Sequence, residues 1–92
     1  SDIVTRYYIV VDGRVQGVGF RYYCQMNASS LNLTGWVHNM SNGMVDMEVQ
    51  GSEDSIQKFI SLINKGNYFI KVTSLSKKKI SIVPDESKFK IR

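Results

Sequence analysis

The chemistry-bearing stretch is Gly13-Arg14-Val15-Gln16-Gly17-Val18-Gly19-Phe20-Arg21, which lies between a run of β-forming side chains and a run with helical spacing. That location fixes what it can do. The first turn of a helix leaves backbone N–H groups without intrahelical partners, and the macrodipole favours negative charge there. Glycines let successive N–H groups converge on one point, forming a nest for an anion. Arg21 falls in the first turn, where a planar guanidinium can fork onto phosphate oxygens. A cation at that end of a helix works against the dipole, and a bound anion relieves the cost. Glycine spacing alone would be satisfied by a tight turn with a solvated arginine; the placement of Gly17 and Gly19 directly before Phe20-Arg21 favours a phosphate cradle. No Gly-Lys-Ser/Thr follows, so this is not a Walker loop, and the G-x-G-x-x-G dinucleotide spacing is absent.

Such a loop needs elements to hold it. Tyr7-Tyr8-Ile9-Val10-Val11 is aromatic and β-branched and reads as a buried strand. Phe20, Cys24, Ala28 and Leu31 recur every three or four residues, giving a helix from Phe20 to about Leu31, with Asn32 as its stop. Trp36 to Met40 is a second strand, Ser41-Asn42-Gly43 a tight reversal, and Met44 to Gln50 a third strand. In that third strand Val45, Met47 and Val49 face one way and Asp46, Glu48 and Gln50 the other, so one sheet face is expected to be wet. Ser52 can cap a second helix with Glu53 and Asp54 in its first turn, an apolar stripe of Ile56, Phe59, Ile60 and Ile63, and Gly66 at its end. A fourth strand runs from about Ile70 to Ile82, Pro84 and Asp85 turn the chain, and Phe89 to Arg92 can close the sheet. The order predicts an α+β, ferredoxin-like βαββαβ sandwich: a mixed, mostly antiparallel sheet, two helices on one face, and a short fifth C-terminal strand. Many functions use that architecture, so function must come from the site.

Several stretches carry a more specific likeness. Gly13 to Arg21 resembles the signature of the acylphosphatase family. Gly35-Trp36-Val37-His38-Asn39 is similar to that family's G-W-V-x-N strand, Asn42-Gly43-Met44-Val45 to its hairpin, and Phe89-Lys90-Ile91-Arg92 to its closing strand. The resemblance runs from about Tyr7 to Arg92, and the two motifs at this separation are specific together. It implies hydrolysis of acyl phosphates to a carboxylate and inorganic phosphate. It implies that Arg21 binds the phosphoryl group together with the N–H groups of Val15, Gln16, Gly17, Val18, Gly19 and Phe20. It implies that Asn39 positions the attacking water, with no metal, no cofactor and no covalent intermediate. The chemistry is consistent: phosphoryl transfer needs positioning and charge stabilisation above all. The Asn39 amide can both accept and donate, which suits orienting water but makes it a poor base. The carboxylate leaves readily, so a substrate phosphate oxygen can take the water's proton.

Composition narrows the setting. Ninety-two residues suit one domain, 1–92, with one modest core. One cysteine and one histidine exclude a disulfide framework and a structural zinc, and favour a cytoplasmic location. No apolar run approaches the length of a membrane span, and Ser1-Asp2-Ile3-Val4 lacks the basic-then-apolar pattern of a secretory signal. The net charge of +4 suits an anionic ligand, with lysines concentrated at Lys77-Lys78-Lys79 and in the last residues. The lysine triplet is expected near a sheet edge, where it deters edge-to-edge pairing. His38 should point away from Asn39 and stay outside the chemistry. Cys24, on the apolar stripe, should be inert. The expected partners are a small-molecule acyl phosphate and the phosphate product, with no nucleic acid, no membrane and a monomeric state. Two rivals stay open: an accessory, non-catalytic acylphosphatase-like domain, and an RNA-binding module of the same fold class. In the latter case aromatics should lie on a central strand, whereas Gly17 to Tyr23 enters a helix.

Overall fold

A computed structural model describes residues 3–92; the reading of the N-terminus falls partly on Ser1 and Asp2, which lie outside the described residues. The order is β1 (Val4–Arg14), α1 (Phe20–Ser30), β2 (Thr34–Asn39), β3 (Val45–Ser52), α2 (Glu53–Lys65), β4 (Lys71–Ile80) and β5 (Phe89–Ile91). One five-stranded sheet runs β4-β1-β3-β2-β5. β1 pairs antiparallel with β3 and β4, β3 pairs antiparallel with β2, and β2 pairs parallel with β5. β1 and β2 therefore run the same way with β3 between them, which is the split βαβ arrangement. The expected architecture is present.

Both helices meet the same core. Ile9, Val11, Val37, Val45, Met47 and Val49 from the strands join Phe20, Cys24 and Ala28 of α1 and Ile56, Phe59 and Ile63 of α2 in one buried cluster. The alternation of β3 dictates this, since residues two apart share a face. Ser52 caps α2 as its sequence suggests, its Oγ accepting from the Ser55 N–H at 3.2 Å. β1 is longer than its apolar run: a register shift at Asp12/Gly13 lets it continue to Arg14. The Lys77-Lys78-Lys79 triplet lies on β4, an edge strand, and the Lys77 ammonium sits 5.3 Å from the Tyr7 ring centroid.

The second sheet face corrects the sequence reading. Parity was right, but the face is not simply wet. Arg6, only 2% exposed, donates through Nε to Glu48 Oε1 at 2.7 Å and through Nη1 to Gln50 Oε1 at 3.0 Å and Glu86 Oε1 at 2.7 Å. Gln50 also exchanges two hydrogen bonds with the Val83 backbone. The segment between β4 and β5 is thereby strapped to this face. Nearby, Tyr8 Oη donates to Asp46 Oδ2, and His38 Nδ1 lies 2.8 Å from Asp46 Oδ1. Polar side chains can leave water when each finds a partner, and a sequence pattern does not show the partners.

Candidate active site

One end of the sheet gathers the site. β1 ends there, residues 15–19 turn, and α1 begins at Phe20. Gly17 and Gly19 have φ of 73° and 78°, the left-handed region that L side chains avoid, and a Cβ on either would touch nothing within 4 Å. Glycine is thus required by the backbone path and not by crowding, and the space over the loop is open. Gly19 is the N-cap of α1; it offers no side-chain cap, and the first turn holds no acidic residue. The helix end is left with the unpaired donors and positive potential that an anion seeks. Val15 and Phe20, each 1% exposed, root the loop in the core at both ends.

Gln16 fixes the loop laterally. Its Nε2 donates to the carbonyls of Met40 and Met44, both at 2.8 Å, stitching the loop to the β2–β3 hairpin. Asn39 ends β2 opposite Val45, and its Oδ1 is buried with no hydrogen-bond donor among the described residues. A buried amide oxygen without a partner is rare and implies a ligand or water as its natural donor. Arg21 Nη1 donates to the Arg92 carbonyl oxygen at 2.8 Å. Arg92 is itself held by its N–H, which donates to the Val37 carbonyl, and by its guanidinium, 4.6 Å from the Trp36 ring centroid. Arg21 and the strand bearing Asn39 are therefore tied through one residue.

These groups surround a single cavity of about 230 Å³. Val15, Gly17, Gly19, Phe20, Arg21 and Asn39 line it, so the glycine-arginine loop and the asparagine that only the family resemblance singled out meet at one cavity, and Tyr22 and Ile91 line it too. The side chains of Gln16 and Val18 turn elsewhere, the Gln16 carboxamide to the hairpin and Val18 to the core, which leaves these two residues their backbone N–H groups as the part that can serve an anion. Sequence reasoning missed Tyr22, whose only signal was adjacency to Arg21, and Ile91, which reaches the site through the parallel pairing of β5 with β2. His38 points to the other face, toward Asp46. Cys24 is buried, and burial pushes its thiol pKa well up, which keeps it unreactive. Among the described residues no group of three His, Cys, Asp or Glu side chains is placed to hold a metal.

Comparison with known proteins bears directly on this arrangement. Residues 7–91 match the family model described as Acylphosphatase. A Clostridium beijerinckii protein named acylphosphatase is 48% identical over 87 residues, covering 95% of this chain and 97% of its own length. A Geobacillus thermodenitrificans acylphosphatase is 45% identical, with 94% and 92% covered. The crystal structure of acylphosphatase from Bacillus subtilis superposes with a TM-score of 0.90 at 40% identity, covering 98% of this chain and 99% of that one.

Proposed function

This chain belongs to the acylphosphatase family and hydrolyses the carboxyl–phosphate bond of acyl phosphates, and on that premise we propose that Arg21 and the loop amides of Val15 to Phe20 hold the phosphoryl group while Asn39 orients the attacking water. The observation that carries the assignment is the cavity shared by three features: an uncapped helix N-terminus, a guanidinium, and a buried amide oxygen with no protein donor.

In this reading the phosphoryl oxygens lie on the loop N–H groups and the Arg21 fork, which leaves its Arg92 partner or shares it. Water, accepting from or donating to the Asn39 amide, attacks phosphorus on the side opposite the carboxylate. The P–O bond to the acyl group breaks, its electron pair leaving with the carboxylate. The proton from water passes to a phosphoryl oxygen, giving inorganic phosphate. Fixed donors aimed at the developing charge supply the rate enhancement. No side chain among those lining the cavity is a carboxylate, thiol or imidazole, which suits a reaction with a good leaving group and no protein base. As part of the same proposal, residues 1–92 act as one domain and as a cytoplasmic monomer needing no metal, cofactor or nucleic acid. A single continuous core supports the one-domain reading, and among the described residues no helix is long and apolar enough to cross a membrane. The RNA-binding alternative would need free aromatics on an open sheet face; the aromatics of that face are engaged within the protein, Tyr8 with Asp46 and Trp36 under the Arg92 guanidinium, beside the Arg6 network.

The test is hydrolysis of benzoyl phosphate in the presence of chelator. Wild type should be active, and simple alkyl phosphate esters should be nearly untouched. Arg21→Ala should lose roughly a hundredfold or more in kcat/KM and bind inorganic phosphate weakly. Asn39→Ala should lose turnover while keeping phosphate affinity within about threefold. Variants that match wild type, or a reversed division between binding and turnover, would refute these roles.

A further inference from the structure

On the β4 side of the same loop lies a wider groove of about 650 Å³, formed where the end of β1 meets the α2–β4 connection. Arg14 lines the groove and Val15, the next residue, lines the phosphate cavity; consecutive Cα atoms are only about 3.8 Å apart, so the two concavities share one stretch of backbone. Its size falls in the range of small-molecule sites, whereas the phosphate cavity is smaller.

The lining has two properties that point to a class of occupant. The first is charge: Arg14, Lys65 and Lys71 line it with no acidic residue among them, and none of the three has an ion-pair partner among the described residues. The second is a pair of aromatic rings. Tyr68 is 93% exposed and Phe69 61% exposed, packed edge to face with centroids 5.2 Å apart. They are not on a loose tip. Asn67 Oδ1 accepts from the N–H groups of Phe69 and Ile70, both at 2.8 Å, and closes the turn. Tyr23 Oη donates to the carbonyls of Leu62 and Gly66, tying the end of α2 to α1. Across the groove, Gly13 runs so close to the Lys71 carbonyl that no Cβ would fit between them. The backbone of both walls is thus fixed relative to the phosphate loop, and it holds two exposed rings against each other beside that loop.

We propose that this groove is the subsite for the acyl part of the substrate, and that it selects acyl phosphates bearing an aryl or extended apolar group with a second negative charge. The proposal rests on the catalytic reading given above. With the phosphoryl group on the loop, the acyl portion passes over Arg14, stacks on Tyr68 and Phe69, and places its distal anion near Lys65 and Lys71.

The experiment compares kcat/KM for acetyl phosphate, benzoyl phosphate and 4-carboxybenzoyl phosphate. Wild type should rank them in ascending order. The Tyr68→Ala/Phe69→Ala double variant should lose about three- to tenfold on both aryl substrates and leave acetyl phosphate unchanged. Lys65→Gln/Lys71→Gln should abolish the preference for the carboxylated ring over benzoyl phosphate, a change of up to about fivefold, and in wild type that preference should shrink as salt is added. If acetyl phosphate is hydrolysed and the ratios among the three substrates are the same in the variants as in wild type, the subsite is overturned and the catalytic reading stands. A wild-type protein inert toward all three would overturn both.

Discussion

Asn39 concentrates the argument at the scale of one residue. Its amide oxygen is buried without a protein donor, and its neighbours in the cavity supply positive charge and N–H groups but no base. Asn39→Asp keeps the shape and changes the charge. A carboxylate there would face the phosphoryl dianion, so turnover and phosphate affinity should both fall at neutral pH, turnover by roughly a hundredfold. With substrate bound, its dianion offsets the charge of Arg21, and burial then raises the pKa of the new acid. Protonated, it resembles the amide, so the variant's activity should recover as pH is lowered toward 5. A pH–rate profile of the variant parallel to that of wild type would show that Asn39 does not sit against the charge. Gly19→Ala tests the loop in the same way. With φ at 78° and nothing within 4 Å of the added Cβ, the substitution should cost about 1–2 kcal/mol in urea unfolding from backbone strain alone, and phosphate affinity should fall with it.

Between elements, the site depends on two stitches. Gln16 holds the phosphate loop to the β2–β3 hairpin through the carbonyls of Met40 and Met44. Both carbonyls keep a backbone donor without it, from Gly43 and Met40 respectively. Gln16→Ala should therefore cost only about 1 kcal/mol of stability yet weaken phosphate binding severalfold, because the loop loses its lateral anchor; equal phosphate affinity in a calorimetric titration would refute that coupling. The second stitch is Arg92, between Arg21 and Val37. Neither was legible in the sequence, and the reason is physical. The loop residues are contiguous, so their glycines and Arg21 announce a cradle on their own, and the parity of Val45, Met47 and Val49 announces the core face. Arg6 and Glu86 meet across 80 positions of chain, and Ile91 reaches the cavity only through parallel pairing with β2. Such meetings are set by topology, and local pattern carries no trace of them. The same gap explains why the second sheet face is covered where alternation alone makes it wet: alternation reports which way Glu48 and Gln50 point, not that Arg6 waits there.

Across the whole molecule, the buried Arg6 network connects stability in acid to the geometry of the site. Burial alone would raise the Glu86 carboxyl, but hydrogen bonds from Arg6 and Thr34 and the charges of Arg6 and Arg92 outweigh it and hold its pKa below the usual carboxylate value. Glu53 is likewise lowered, first by the hydrogen bond from Gln57, then by Tyr7, Thr5 and the charge of Lys77, against burial. A carboxyl whose pKa is lower folded than unfolded stabilises the fold above its unfolded pKa, and that contribution is lost as pH falls through the folded value. The protein should thus be most stable near neutrality and weaken in acid, where its net charge also grows beyond +4. Glu86→Gln removes the ionised partner of an arginine that is 2% exposed and keeps the shape. Arg6 retains Glu48, so the expected cost at pH 7 is about 1–3 kcal/mol rather than that of a fully orphaned charge. Because the variant has no Glu86 proton to take up, its stability should fall less steeply with acid, and urea unfolding curves at pH 7, 5, 4 and 3 should converge on those of wild type. A constant offset at every pH would show that the charge of Glu86 is not what holds the strap. Since the strap leads directly into β5, which brings Ile91 to the cavity and Arg92 to Arg21, the same variant should also lose phosphate affinity at pH 7, where the fold itself is intact.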